Sequence, residues 1–173
     1  MTRANLWWIV GAAVVVACGV IAFVTLGAGS AASPEQRLAS WVSSTGLGQD
    51  IGTLYDDGVH VRDALAERKD MTDVHTICAA MADDAQTFND QLPSPDAAVT
   101  QLLARAYGLD YDAAEACYRS STPGASLLVA SAKDRAAADV LFGKVLADVR
   151  VKTGQTVSTT TTTVPGTTTT AIL

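Results

Sequence analysis

Between residues 33 and 152 apolar side chains recur every third or fourth position, and no stretch alternates apolar with polar for long. That spacing belongs to amphipathic helices rather than strands. The first predicted helix covers about 34–44, with Leu38, Trp41 and Val42 on its apolar stripe. Ser33 stands where an N-cap belongs, Pro34 suits the first helical position, and Gln36 completes a capping box. Gly46 ends it. A second helix covers about 49–68, with Ile51, Leu54, Gly58, Val61 and Leu65 along one seam. Gly58 costs about 1 kcal/mol relative to Ala there and leaves room for a close neighbour. Asp70 caps a third helix over about 71–91, whose seam reads Val74, Ile77, Cys78, Met81, Ala85, Phe88 and Leu92.

Leu92-Pro93-Ser94-Pro95-Asp96 breaks and restarts the chain. Pro93 stops the third helix, Ser94 is placed to cap the next, and Pro95 to open it. The fourth helix carries Val99, Leu102, Leu103, Ala106 and Tyr107 and ends at Gly108. A short fifth piece from Asp110, with Tyr111, Ala114, Cys117 and Tyr118, either stands alone or prolongs the fourth beyond a kink. Thr122-Pro123-Gly124 is a turn, and a last helix over about 126–152 presents Leu128, Ala132, Ala138, Phe142, Val145 and Val149. The fold class is therefore all-α, with an antiparallel four-to-five-helix bundle over residues 33–152.

The two ends are unlike this middle. Residues 6–28 are 23 consecutive uncharged positions, about 34 Å as a helix, enough to span a bilayer core of ~30 Å. Trp7 and Trp8 stand at one end, and Arg3 precedes the span within a short stub, residues 1–5. The positive-inside bias then makes 6–28 a transmembrane signal-anchor helix of a single-pass cell-membrane protein, with the C-terminal domain outside the cytoplasm. Two other readings also export the domain: cleavage after Ala32, behind Ser30-Ala31-Ala32, and lipidation at Cys18 within Val15-Val16-Ala17-Cys18. Residues 153–173 hold 11 threonines and no charge, which predicts a disordered Thr/Pro-rich tail, with a glycosylated or wall-contacting spacer as the alternative.

Composition sharpens this division. The 173-residue chain is 49% hydrophobic and only 17% charged, with a net charge of −6, and a globular chain carries about 25% charged residues. Residues 4–34 and 153–173 carry no charged side chain, so residues 35–152 hold all 18 acids and 11 of the 12 bases, a net −7. That excludes a nucleic-acid-binding surface, which needs clustered Lys and Arg.

Cys78 and Cys117 are the two cysteines of the exported part, and an even pair outside the cytoplasm predicts a disulfide. Closing a loop of that size restricts the unfolded chain by about 4 kcal/mol. For catalysis the sequence offers little. Asp56, Asp57, His60 and Asp63 share helical spacing, and Asp56, His60 and Asp63 fall on one face as a divalent metal site requires. Bundle dimetal sites draw Glu-x-x-His from two helices, whereas Asp57-x-x-His60 occurs once, so a solvated polar face is the simpler reading. His75 and Cys78 stand three apart, but a disulfide would occupy the sulfur. Asp83-Asp84 reads as a wet helix face, and Asp110-Tyr111-Asp112 as a helix N-cap. No phosphate loop, nucleophile elbow or Ser-x-x-Lys motif is present. No catalytic residue, cofactor or metal is assigned.

The residues point to a non-enzymatic binding or structural module of the cell envelope, whose partners are the membrane and an envelope protein or lipid. Two alternatives stand beside it: a metal-binding protein or enzyme using Asp56, His60 and Asp63, and a lipid-binding or sensor bundle with a cavity near small residues such as Gly58 and Ala85.

Cys78, the Pro93-Ser94-Pro95-Asp96 turn and the Ala-rich run to Cys117 resemble small uncharacterised exported helical proteins of high-GC bacteria. The resemblance spans about 40 residues and implies a helical fold with a bridging disulfide. It implies no activity, so no functional residue carries over.

Overall fold

A computed structural model describes residues 31–162 and 168–171. The chain divides after Ala32, and the compact unit that begins at Ser33 is the one described. The candidate membrane segment 6–28 and Cys18 lie outside the described residues. Among the described residues no helix is long and apolar enough to cross a membrane.

Five helices follow one another: α1 (Pro34–Thr45), α2 (Leu47–Ala66), α3 (Met71–Asn89), α4 (Ala97–Tyr118) and α5 (Ser126–Thr153). Their starts follow local chemistry. The Ser33 hydroxyl accepts from the Gln36 amide at 3.2 Å while the Gln36 side chain accepts from the Ser33 amide at 2.9 Å, the reciprocal box the sequence calls for. Gly46, in the left-handed region at φ 73°, ends α1 and at once precedes α2. Asp70 caps α3 through the Thr72 amide.

One expectation changes here, and one left open is decided. The cap of α4 is Asp96, not Ser94, because its carboxylate accepts from both the Ala98 and Val99 amides and also meets Lys152 Nζ at 2.8 Å. Ser94 is consumed by the turn, its hydroxyl donating to the Asp96 carbonyl and bonding Thr100. The fourth and fifth predicted pieces are one continuous helix through Gly108. Tyr107, Asp110, Ala114 and Cys117 are all buried, so inward packing on both sides of the glycine outweighs its propensity cost.

The main core gathers Leu38, Leu47, Ile51, Leu54, Val99, Leu103 and Val145 around Phe142. The Tyr107 ring lies 5.5 Å and the Tyr55 ring 6.4 Å from that of Phe142. A smaller cluster surrounds Cys78 and Cys117, with Ala64, Val74 and Leu128. The two cysteines form a disulfide between α3 and α4, Cα atoms 6.0 Å apart. Helix α4 packs along α3 on one side and α5 on the other, and α2 lies on α3; α2 and α5 meet only sparsely. The bundle is therefore a ring that closes poorly along one edge, and the candidate site lies there.

Over its described residues the tail departs from the disorder predicted for residues 153–173. Gly154, at φ 68°, turns the chain back, Val157 packs on the main core, and Thr159 is buried. A β-carbon on Gly48 would collide with the Ser158 carbonyl, so glycine is what lets this strap lie against α2. Thr159–Thr162 (β1) then pairs antiparallel with Thr168–Ala171 (β2), Thr159 opposite Ala171. Threonine favours strands, and Val157 is the apolar side chain by which the strap meets the core.

Candidate functional site

Arg135 of α5 falls seven residues after Leu128 and seven before Phe142, and both of those are buried. That spacing sends a guanidinium into the bundle. Arg135 Nη1 donates to Asp110 of α4 at 2.8 Å, and Nη2 meets Asp139, one turn on, at 3.0 Å. Its Cζ lies 5.3 Å from the centre of the Tyr55 ring on α2, a cation–π contact. Its Nε lies 3.1 Å from where a β-carbon on Gly58 would stand. The room that Gly58 leaves is thus taken by an arginine, not by a helix backbone.

Carboxyls outnumber this single cation. Asp110 is 0% exposed, and its second oxygen has no hydrogen-bond partner. Asp57 of α2 turns inward as well, with one oxygen unpartnered. Burial, then the Asp84 charge and a hydrogen bond shared with Asp84 of α3, push the Asp57 carboxyl up to about 7, against the pull of Arg135. Asp84 is raised by burial too, though its bond to Asp57 opposes the rise. Burial raises Asp110 to about 7 despite Arg135, with Asp139 adding to the rise. One Asp139 oxygen is ion-paired with Arg135 but poorly aligned for a hydrogen bond, and burial raises this acid also. Further along α2, burial lifts the Asp50 carboxyl to about 6, against a hydrogen bond from Gln91.

Beside Arg135 the sparse α2–α5 edge opens a cleft of about 300 Å³. Val61 and Leu65 of α2, Met81 of α3 and Leu128 of α5 give it apolar walls, while Arg62, Ser131, Arg135 and Asp139 are its polar groups. Concave, mostly apolar, with a few convergent polar groups, it has the character of a small-molecule site.

The residues singled out from the sequence are placed differently. His60 and Asp63 are exposed, and Asp63 pairs with its neighbour Arg62 at 3.0 Å. Asp56 is half-buried, and Asp57 faces the interior cluster. Asp56, His60 and Asp63 are not brought together as ligands, and among the described residues no group of three His, Cys, Asp or Glu could hold a metal ion. His75 Nε2 lies 2.7 Å from the Ser120 carbonyl, so that nitrogen carries the proton and donates, and Cys78 is bridged to Cys117. Asp83 is exposed, as a wet face requires, but Asp84 is drawn toward Asp57. Asp110 is no cap: it lies within α4 and is buried, because the helix does not stop at Gly108. Arg135 was legible only through its seven-residue spacing to Leu128 and Phe142, a signal easily passed over because a charge does not count as a seam residue.

These shifts fix a pH dependence. Carboxyls with raised folded-state pKa values hold protons that the unfolded chain releases near 3.8, so stability is fullest below that value and falls until about 7. Between pH 5 and 8 the expected loss is on the order of 2–4 kcal/mol, treating the carboxyls as coupled. Asp70 and Asp96, lowered respectively by a backbone hydrogen bond from Thr72 and by a hydrogen bond from Lys152, weaken the fold only on stronger acidification. Urea unfolding of the full chain should give a higher midpoint at pH 5 than at pH 8; the opposite order would show that the inner carboxyls are ionised throughout.

Comparison with known proteins finds no matching family model, no matching curated protein and no matching solved structure.

Proposed function

We propose that this chain is a non-enzymatic binding module of the cell envelope, held at the membrane by residues 6–28, and that the bundle takes an apolar, acyl-type molecule into the α2–α5 cleft. The cleft itself carries the reading. It is walled by Val61, Leu65, Met81 and Leu128 where a four-helix ring ordinarily seals. At about 300 Å³ it lies at the small end of ligand pockets, which suits a single chain rather than a whole lipid. The uncharged, Trp-flanked segment 6–28 supports placing the bundle next to a source of such molecules.

The test is photo-crosslinking with a diazirine-bearing fatty acid, using the full chain in lipid nanodiscs. Label is expected on peptides containing Met81 and Leu128, and Leu128→Trp, which fills the cleft, should remove it. Label confined to residues 6–28 would sink the reading.

A further inference from the structure

A second groove lies on the opposite flank of α4, where it meets α3. Tyr111, Glu115 and Tyr118 recur at four- and three-residue steps and form one stripe of α4; Ala79, Ala82 and Asp83 form the facing stripe of α3. Together they bound a groove of about 350 Å³. Its floor is low because alanine supplies it, and its walls are two tyrosines that remain 39% and 50% exposed. Exposed aromatics that pack no core mark contact surfaces more often than exposed aliphatics do.

The walls are held in place. The Cys78–Cys117 bridge immediately precedes Ala79 on α3 and Tyr118 on α4, which fixes the width of the groove. The Tyr118 ring lies 5.4 Å from the His75 ring, and His75 is anchored by its bond to the Ser120 carbonyl. The ionisable side chains that line the groove, the two tyrosines aside, are Asp83 and Glu115. Arg119 reaches Glu115 only at 4.0 Å and from solvent, so it screens that carboxylate weakly.

We infer that this α3–α4 groove is a docking surface for an arginine or lysine side chain of a partner protein, the cation lying over the tyrosine rings and meeting Asp83 and Glu115. Aromatic faces and carboxylates both attract cations, and a guanidinium stacks on a ring and forks onto a carboxylate at once, so arginine is the better occupant. The net charge of −7 over residues 35–152 draws a basic segment toward the domain. This site is separate from the α2–α5 cleft and stands or falls independently of it.

The experiment is an NMR titration of the full chain in uncharged maltoside micelles with a short peptide alternating glycine and arginine. Shifts are expected on the Tyr111, Tyr118 and Asp83 signals. Tyr111→Ala with Tyr118→Ala should weaken binding about tenfold, while Tyr118→Phe should keep it. Asp83→Asn should weaken it and flatten its salt dependence. Equal binding by the double tyrosine variant would reduce the effect to general attraction by an acidic domain and overturn the proposal. So would shifts caused by phosphocholine but not by the peptide, which would make the groove a lipid-headgroup contact, or no shifts at all.

Discussion

Replacing Arg135 by methionine is expected to cost the bundle about 3–5 kcal/mol, a large part of the 5–15 kcal/mol that ordinarily holds a domain of this size. The substitution keeps much of the side-chain length but removes the one cation among Asp57, Asp84, Asp110 and Asp139. Asp110 then stays wholly buried with neither oxygen bonded to a cation. The penalty should grow as pH rises past about 7, because there the native Asp110 ionises beside Arg135, whereas without that cation its pKa is pushed higher still and the buried carboxyl must hold its proton at increasing cost. Adding Asp110→Leu to Arg135→Met should restore most of the loss, since a buried ion pair replaced by apolar groups of similar volume is often neutral. Urea unfolding of the three variants at pH 5 and 8 checks each part. A single substitution costing under 1 kcal/mol at pH 8 would mean that water, rather than Arg135, solvates Asp110.

Removing the disulfide is expected to have a similar effect by a different route. The bridge joins positions 39 apart and restricts the unfolded chain by about 4 kcal/mol in the loop-entropy description. Cys78 and Cys117 are both buried against Val74, Ala64 and Leu128, so Cys78→Ala with Cys117→Ala adds a packing loss to the entropic one. Reduction of the intact chain isolates the entropic part, because the sulfurs stay. The expected outcome is a much lower urea midpoint on reduction and a slightly lower one again for the double alanine variant. Thiol titration of the unreduced, unfolded chain should find neither of these cysteines free. Two reactive thiols there would remove the bridge from the description.

Most of the helical frame was legible because it depends on local rules. The three- and four-residue apolar spacing, the Ser33–Gln36 box and the Asp70 cap each act within a few residues, and each is found in place. The disulfide was legible from the cysteine count and from the stripes on which Cys78 and Cys117 fall. What was not legible depends on distant partners. Asp110 reads as a cap until Arg135, twenty-five residues on, gives it a reason to be buried within a helix. Asp57 reads as part of a wet face until Asp84 of the next helix shares its proton. The docking of the tail depends on a notch at Gly48, over a hundred residues before Ser158. The cleft was legible only in part: Gly58, beside which a cavity is expected, lines it, but its walls arise where α2 and α5 part beyond the Tyr55–Phe142 contact.

The most direct measurement is native mass spectrometry of the full chain, released from the membrane of the cells that made it under conditions that retain weakly held ligands. The expected spectrum shows a fraction of the protein carrying one additional mass of an apolar acyl compound, lost when Leu128→Trp fills the α2–α5 cleft. A spectrum of unliganded protein only, or an adduct unchanged by that substitution, would contradict a ligand-binding role for the cleft.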